Sequence, residues 1–351
     1  MKSSTYTGIP SPAISALLDE ALPRLAADIE ALHPQKLAGV VLGGGYGRGE
    51  GGVRRSPQGD KLYNDLDFFV FADRAEKNEL ATIDRELVKL SAPWEKRLGV
   101  AVDFGPAKNL SALKRVSRTL MYQELLHGWR PVWGEVDLAA HLPELPPEQL
   151  PFTEAARLLL NRGMGLLFAA NRLLAGSDDA DFIVRNMNKA LLGGGDALLI
   201  ARHRYRWHGN ERTAEFRRCC CELGLPGDFA DLYDGAYRFK LEPLPVLPPD
   251  PMQMWQDCRR FYLDTFAAVA GVSVNTVETE QIAALRAKAK AGRSAKNFLR
   301  WLVRMHEVRS PRTAFDDPVI TVLEALHAVL AEPEPPGECP EKLYRAWRNF
   351  N

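Results

Sequence analysis

The chain has 351 residues, 46% of them hydrophobic and 26% charged, and its formal net charge at pH 7 is zero. The length favours two domains, and the composition is typical of a globular protein. Zero net charge excludes a generally basic surface, so we expect neither a membrane nor long duplex nucleic acid as a partner. The N-terminal residues lack the apolar run of a signal peptide, and no later segment is apolar enough to cross a membrane. We therefore expect a cytoplasmic protein.

The first 147 residues alternate between helical and strand patterns. Ser11 and Pro12 form a helix start, and apolar residues then recur at helical spacing until Pro34. After that helix the patterns predict these elements in chain order: a strand over 37–42, a glycine-rich loop over 43–52, a strand over 66–71, a helix over 80–90, a strand over 100–104, a helix ending at 121–126 and an edge strand over 130–134.

The pattern changes after the proline-rich segment Leu142–Pro147. Strand patterns nearly vanish, and helical periodicity dominates as far as Arg309. We therefore predict an α+β fold, in which a small mixed β-sheet domain flanked by helices is followed by an all-helical domain. The predicted divisions are the sheet domain over 1–147, the helical domain over 148–309 and a tail with one helix over 310–351.

Three aspartates carry the strongest chemical signal. Asp65 and Asp67 stand two residues apart at a predicted strand, which places both carboxylates on one face. Asp103 alternates with Val102 and Phe104 on a later strand, so it also points away from the core. If the two strands are neighbours, three carboxylates converge. Hard oxygen ligands suit magnesium, and acids that hold two ions are what phosphoryl or nucleotidyl transfer requires.

The glycine-rich segment Gly43–Gly52 supplies a candidate phosphate site, because backbone N–H groups approach phosphate oxygens closely only where side chains are absent. Two familiar phosphate motifs fit it poorly. Gly47–Gly52 matches G-x-G-x-x-G, but the residues from Val53 onward do not open a helix, as a dinucleotide-binding motif requires. The Gly-Lys-Ser/Thr of a phosphate-loop ATPase is missing.

Three stretches together resemble a known superfamily, and they occur in its order: Val41–Glu50, Asn64–Phe68 and Val102–Phe104. They are similar to the motifs of the DNA polymerase β-like nucleotidyltransferases. In that superfamily a strand is followed by paired glycines, an Arg-Gly pair, a D-x-D strand and a later strand with a third acid. The resemblance covers roughly residues 37 to 135. It implies a catalytic and metal-binding set made of Asp65, Asp67 and Asp103. It also implies that a nucleotide triphosphate is bound by Gly44, Gly45, Arg48 and Gly49.

A looser resemblance extends into the helical part. The run Leu191–Leu199, preceded by Lys189, is similar to the helical domain of aminoglycoside and minimal nucleotidyltransferases. In those enzymes the helical domain contributes a lysine, sometimes a tyrosine, to the triphosphate, which implies Lys189 and Tyr205 as nucleotide-binding residues.

The chain departs from the superfamily pattern in two ways. Gly45 stands where many members have serine, and the gap from Gly45 to Asp65 is long. The residues in this gap include three cations, which either clamp phosphate or lie on a mobile loop: Arg54, Arg55 and Lys61.

The function expected from this resemblance is magnesium-dependent transfer of a nucleoside monophosphate from an NTP, with ATP favoured, to a hydroxyl group, with release of pyrophosphate. The acceptor is open among a small molecule, an RNA 3′ end and a protein side chain. Two alternatives are an NTP-binding regulatory or scaffold module and the nucleotidyltransferase component of a toxin–antitoxin pair.

One further feature is a basic helical face within 286–309, formed by Arg293, Lys296, Arg300 and Arg304. Such a face either binds RNA or an acidic protein, or is simply solvated.

Overall fold

The computed structural model describes residues 5–32, 35–116, 118–289, 295–300 and 315–349. These residues divide into two compact units. Unit 1 extends to Pro146 and also includes Arg238–Leu244, whereas unit 2 holds 147–237 and the residues from Pro245 onward. The first break lies in the proline-rich segment that separates the predicted domains. The tail beyond residue 310 is not separated from unit 2.

Unit 1 contains short strands and flanking helices. Its helices are α1 (Pro12–Ala31), α2 (Gly44–Arg48), α3 (Lys77–Leu98), α4 (Leu113–Val116), α5 (Leu120–Leu126) and α6 (Leu138–His141). Its strands are β1 (Leu37–Leu42), β2 (Gly52–Arg54), β3 (Lys61–Tyr63), β4 (Leu66–Ala72), β5 (Val102–Phe104), β6 (Lys108–Asn109) and β7 (Arg130–Gly134).

The main sheet of unit 1 is mixed and has the strand order β5-β4-β1-β7, with β6 also paired to β4. Strand β4 is antiparallel to β1 but parallel to β5 and β6, and β7 is antiparallel to β1. Strands β2 and β3 form a separate antiparallel pair. The predicted α+β fold with a small mixed sheet is confirmed, and β7 lies at the sheet edge as expected.

The two faces of the main sheet bury different side chains. One face contributes to the larger core cluster of unit 1, through strand residues that include Leu66, Phe68, Val70 and Val102. The opposite face carries a smaller cluster of buried residues: Val41, Phe71, Leu113, Tyr122, Leu125, Leu138 and Leu142. Because side chains alternate along a strand, Asp67 lies on the same face as Phe71. Side chains of helices α4 and α5 cover part of that face, and Asp67 is not among the residues that they bury.

Local signals explain where the flanking helices begin and end. The Ser11 hydroxyl accepts a hydrogen bond from the Ile14 N–H at 3.3 Å and caps α1. Helix α3 starts with a capping box between Glu76 and Glu79 and ends at Gly99, which has φ of 72°.

The glycine-rich segment is not a loop throughout, as the sequence suggested. Residues Gly44–Arg48 form the short helix α2, closed by Gly49 in the left-handed conformation with φ of 77°. The Gly47 N–H donates to the Gly43 carbonyl oxygen at 2.8 Å, which starts this helical turn. Glycine is a poor helix former, so tertiary contacts rather than local propensity account for α2.

The described residues of unit 2 form helices and no strand. The helices from Pro147 onward are α7 (Phe152–Leu174), α8 (Ala180–Ala201), α9 (Gly209–Leu223), α10 (Phe229–Leu241), α11 (Pro251–Ala270), α12 (Glu278–Lys288), α13 (Ala295–Arg300), α14 (Pro318–Ala331) and α15 (Glu341–Arg348). The division between the units passes through α10, between Tyr237 and Arg238. Across the described ranges, no helix has the length and apolarity needed to cross a membrane.

Three consecutive glycines of α8 allow close packing of helices inside unit 2. A β-carbon at each would collide with a side chain from a neighbouring helix: Gly193 with Arg162, Gly194 with Thr265 and Gly195 with Tyr233. The glycine run that suggested a nucleotidyltransferase helical domain therefore has a packing role here.

The basic face predicted near the C-terminus falls largely outside the described residues. Arg293 and Arg304 are not among them, and nothing is described of the side chains of Lys296 and Arg300.

Candidate active site

The three aspartates converge in unit 1. One carboxylate oxygen each from Asp65, Asp67 and Asp103 lies within 4.8 Å of the other two. Asp65 and Asp67 are half-buried, whereas Asp103 is exposed. Among the described residues, no other group of three or more His, Cys, Asp or Glu side chains lies close enough together to share a cation.

Strand pairing creates this arrangement. In the parallel register of β4 and β5, Asp67 lies directly opposite Asp103. The Leu66 N–H donates to the Ala101 carbonyl oxygen at 2.9 Å, and the Gly105 N–H donates to the Phe68 carbonyl oxygen at 2.8 Å. These two hydrogen bonds hold the strands in register on both sides of the aspartate pair. Asp65 comes one residue before β4 rather than within it, yet its carboxylate reaches the same group.

The site is electrostatically unfavourable without a cation. Partial desolvation raises the pKa of the Asp103 carboxyl, and the negative charges of Asp65 and Glu95 raise it further. Glu95 lies on α3, and its carboxylate accepts a hydrogen bond from the Val102 N–H at 3.3 Å. Sequence reasoning missed Glu95, because nothing in the pattern of an amphipathic helix indicates that a glutamate near its end contacts the strand that follows.

Gly44 packs directly against the acids. Its φ is 59°, and a β-carbon built at this position would lie 2.0 Å from Oδ2 of Asp67. The Gly43 N–H also donates to the Asp67 carbonyl oxygen at 2.8 Å. The glycine-rich segment and the D-x-D strand are therefore in contact at the aspartate itself. Only glycine fits there, because any side chain would occupy the position of the carboxylate.

Close packing also excludes a side chain at two further glycines of the segment. A β-carbon at Gly47 would lie 2.5 Å from the Leu42 carbonyl oxygen, and one at Gly49 would lie 2.8 Å from the Thr5 carbonyl oxygen. Gly45 is less confined, since its β-carbon would lie 3.3 Å from the Glu50 carbonyl oxygen. Of the glycines predicted to bind nucleotide, Gly45 therefore has the most room for a side chain.

Arg48 lies between two glutamates. Its Nη1 is 3.2 Å from a carboxylate oxygen of Glu124, and its Nε is 3.9 Å from one of Glu50. Glu50 in turn accepts a hydrogen bond from Nζ of Lys240 at 2.7 Å. The guanidinium predicted to contact a triphosphate is thus already neutralised by protein carboxylates. Sequence reasoning did not find Lys240, which is 190 residues from Glu50 along the chain.

The long gap between the glycine segment and the acids forms the β2–β3 hairpin. Arg54, Arg55 and Lys61 are exposed on it. The Arg55 guanidinium donates to Asp60 at 2.5 Å and to Glu242 at 3.1 Å, and the two hydrogen bonds raise its pKa. Arg55 thus joins the hairpin to the Arg238–Leu244 segment of unit 1.

The two nucleotide-binding residues implied for the helical part lie in unit 2. Lys189 is half-buried on α8. Tyr205 is fully buried, and its hydroxyl accepts a hydrogen bond from Nη1 of Arg212 at 3.0 Å. Its aromatic ring also packs edge-on against Trp207. Tyr205 therefore packs within unit 2, and its role in nucleotide binding remains a prediction.

The arrangement in unit 1 has the donors that a divalent cation requires. Three carboxylates within one small volume repel each other, and a hard cation such as magnesium removes that repulsion while accepting phosphate oxygens and water. Asp65, Asp67 and Asp103 thus fit magnesium by donor type and by spacing. Comparison of the chain with family models, with curated proteins and with solved structures found no match.

Proposed function

We propose that this protein is a magnesium-dependent nucleotidyltransferase. It would transfer a nucleoside monophosphate from an NTP, with ATP favoured, to a hydroxyl group, and release pyrophosphate. The observation that carries the proposal is the contact between two features that nucleotidyl transfer needs together. Three carboxylates lie within 4.8 Å of one another, and the glycine-rich segment touches one of them at Gly44. The cytoplasmic location expected from the sequence belongs to this proposal as well.

In the proposed site, Asp65 and Asp67 would hold two magnesium ions and Asp103 would hold one of them. When bound, magnesium would supply positive charge at the phosphate oxygens and lower the pKa of the acceptor hydroxyl. The glycine segment would bind the β- and γ-phosphates, because its backbone can approach phosphate oxygens closely where side chains are absent. Gly44, which lies against Asp67, would bring this part of the segment next to the metal site.

Asp103 would help to deprotonate the acceptor hydroxyl in this reaction. The acceptor oxygen would bond to the α-phosphorus as the bond from that phosphorus to the bridging oxygen breaks, and pyrophosphate would leave with its electron pair. The acceptor proton would pass to the Asp103 carboxylate.

The proposal is tested with NTPs labelled at the α-phosphate. The protein is incubated with each labelled NTP, magnesium and a cell extract, and labelled products are separated by size. We expect label to enter one size class, and to do so only with magnesium present. Asp67→Asn serves as the inactive control, since it removes one charge from the centre of the site.

The same experiment separates transfer from simple binding. If calorimetry shows magnesium-dependent NTP binding while no label enters any product, the chain is an NTP-binding module and the transferase proposal fails. If NTP binds equally well in excess chelator, the proposed metal site is wrong.

A further inference from the structure

Tyr46 is a buried residue of the glycine-rich segment whose hydroxyl contacts the backbone at two places. The side chain is 2% exposed. Its O–H donates to the Gly52 carbonyl oxygen at 2.7 Å, and the hydroxyl oxygen accepts a hydrogen bond from the Tyr63 N–H at 2.8 Å. The Tyr63 carbonyl oxygen is 3.1 Å away. One hydroxyl therefore holds both strands of the β2–β3 hairpin.

This hydroxyl is protonated at neutral pH and available as a donor. Burial raises the pKa of Tyr46 to about 12, even though the hydrogen bond to the Tyr63 backbone lowers it. The negative charge of Asp65 raises it further.

The residues held by Tyr46 lead directly into the acidic site. Tyr63 ends β3, and Asn64 follows it with φ of 66°, a left-handed conformation that glycine and asparagine adopt far more readily than β-branched residues. Asp65 is the next residue. The Tyr46 hydroxyl thus fixes the chain just before the left-handed turn that sets the direction of Asp65.

The same tyrosine belongs to α2, whose Gly44 lies against Asp67. A β-carbon at Gly51 would lie 2.2 Å from the Tyr46 ring, so the ring is confined by backbone on the hairpin side. Tyr46 therefore connects the element that contacts Asp67 with the element that precedes Asp65.

We propose that Tyr46 is a positioning residue whose hydroxyl sets the spacing of Asp65 and Asp67. Its effect on Asp65 passes through the left-handed turn at Asn64. This inference rests on the proposed function, because it assigns Tyr46 to the metal site of that reaction. Groups that orient metal ligands from the second layer commonly change metal affinity when they are removed.

The test measures binding of Mn²⁺ alone, by calorimetry or electron paramagnetic resonance, to the full chain. Tyr46→Phe keeps the ring and removes the hydroxyl, and we expect Mn²⁺ affinity to fall by roughly tenfold or more. Tyr6→Phe is the matched control. It removes a hydroxyl that donates to Asp19 on α1 at 2.7 Å and makes no contact with the β2–β3 hairpin among the hydrogen bonds of the described residues, so we expect unchanged Mn²⁺ affinity.

Asn64 provides a second test that does not touch the buried tyrosine. Asn64→Gly permits the same φ while removing the side chain, so we expect Mn²⁺ affinity to stay well above that of the valine variant. Asn64→Val opposes that φ, so we expect a loss similar to that of Tyr46→Phe.

The outcomes separate this inference from the proposed function. Unchanged Mn²⁺ affinity in Tyr46→Phe, or equal affinities in the glycine and valine variants of Asn64, would overturn the positioning role alone. Failure of the unaltered protein to bind Mn²⁺ would overturn the positioning role and the proposed function together. A drop in Mn²⁺ affinity in Tyr6→Phe as large as that in Tyr46→Phe would show a general loss of stability and also overturn the inference.

Discussion

Gly44 and Asp67 are in direct contact: a β-carbon on the glycine would lie 2.0 Å from the carboxylate oxygen Oδ2. The two residues come from different parts of the chain, one from α2 and one from β4. The contact joins the segment that would bind phosphate to the acids that would bind metal. A change at Gly44 should therefore affect the metal site as well as the nucleotide.

Gly44→Ala tests that contact. The new methyl group would displace the Asp67 carboxylate, and the left-handed φ adds a cost of about 1–2 kcal/mol for any L-residue. We expect a small loss in the free energy of unfolding and a fall of roughly tenfold or more in Mn²⁺ affinity. Thermal melting and calorimetry measure the two effects separately.

Gly99→Ala is the matched control for Gly44→Ala. Gly99 has φ of 72°, and a β-carbon there meets nothing within 4 Å. We expect a similar loss of stability with unchanged Mn²⁺ affinity. Equal Mn²⁺ affinities in the two variants would show that the Gly44–Asp67 contact does not matter for the metal.

Much of the fold follows from local patterns. Strands β1 and β4 appear where apolar runs of strand length predicted them, and β7 lies at the predicted edge strand. The loss of strand pattern after the prolines marks the start of unit 2. Helix α2 was missed, because glycine-rich residues predict a loop. Hydrogen bonds from the Tyr46 hydroxyl to the backbone of Gly52 and Tyr63, outside the helix, stabilise it instead.

The candidate site was predictable in its acids but not in its surroundings. Alternation around Asp103 shows which face its carboxylate occupies, whereas the pairing of β5 with β4 is a non-local property that only the topology reveals. Glu95 and Lys240 act through contacts that no local spacing indicates. Gly44 was predicted to leave room for phosphate, but its nearest neighbour is Asp67.

The glycine run of α8 gives a prediction for unit 2. In Gly195→Ala the new methyl group would lie 2.3 Å from the Tyr233 ring, so we expect a loss of about 1–3 kcal/mol in the free energy of unfolding. Gly235→Ala, in α10, meets nothing within 4 Å and should increase stability by up to about 1 kcal/mol. Chemical denaturation of both variants measures the difference. If Gly235→Ala destabilised the protein and Gly195→Ala did not, the packing role of the glycine run would be contradicted.

The raised pKa of Asp103 predicts how stability depends on pH without metal. A carboxyl with a higher pKa in the folded state binds its proton more tightly when folded, so its contribution is greatest at low pH and is lost as pH rises through the folded pKa. Asp103→Asn removes this ionisation. In chelator, we expect the variant to melt higher than the unaltered protein at pH 7, and the difference to vanish near the ordinary aspartate pKa of about 3.9.

Added magnesium supplies the control for this pH prediction. It should stabilise the unaltered protein more than Asp103→Asn, because the variant lacks one metal ligand. A variant that melts lower than the unaltered protein at pH 7 in chelator would show that Asp103 is not electrostatically strained.

Transfer activity in Asp67→Asn tests the central claim most directly. The measurement is the rate at which label from the α-phosphate of an NTP enters the acceptor, with melting curves to show that the variant is folded. We expect the folded variant to lose at least about a hundredfold in rate, because the charge on the transferring phosphoryl group loses part of its stabilisation. Asp103→Asn should lose transfer but keep more of its NTP affinity. Full transfer activity in folded Asp67→Asn would contradict the assignment of these aspartates to catalysis.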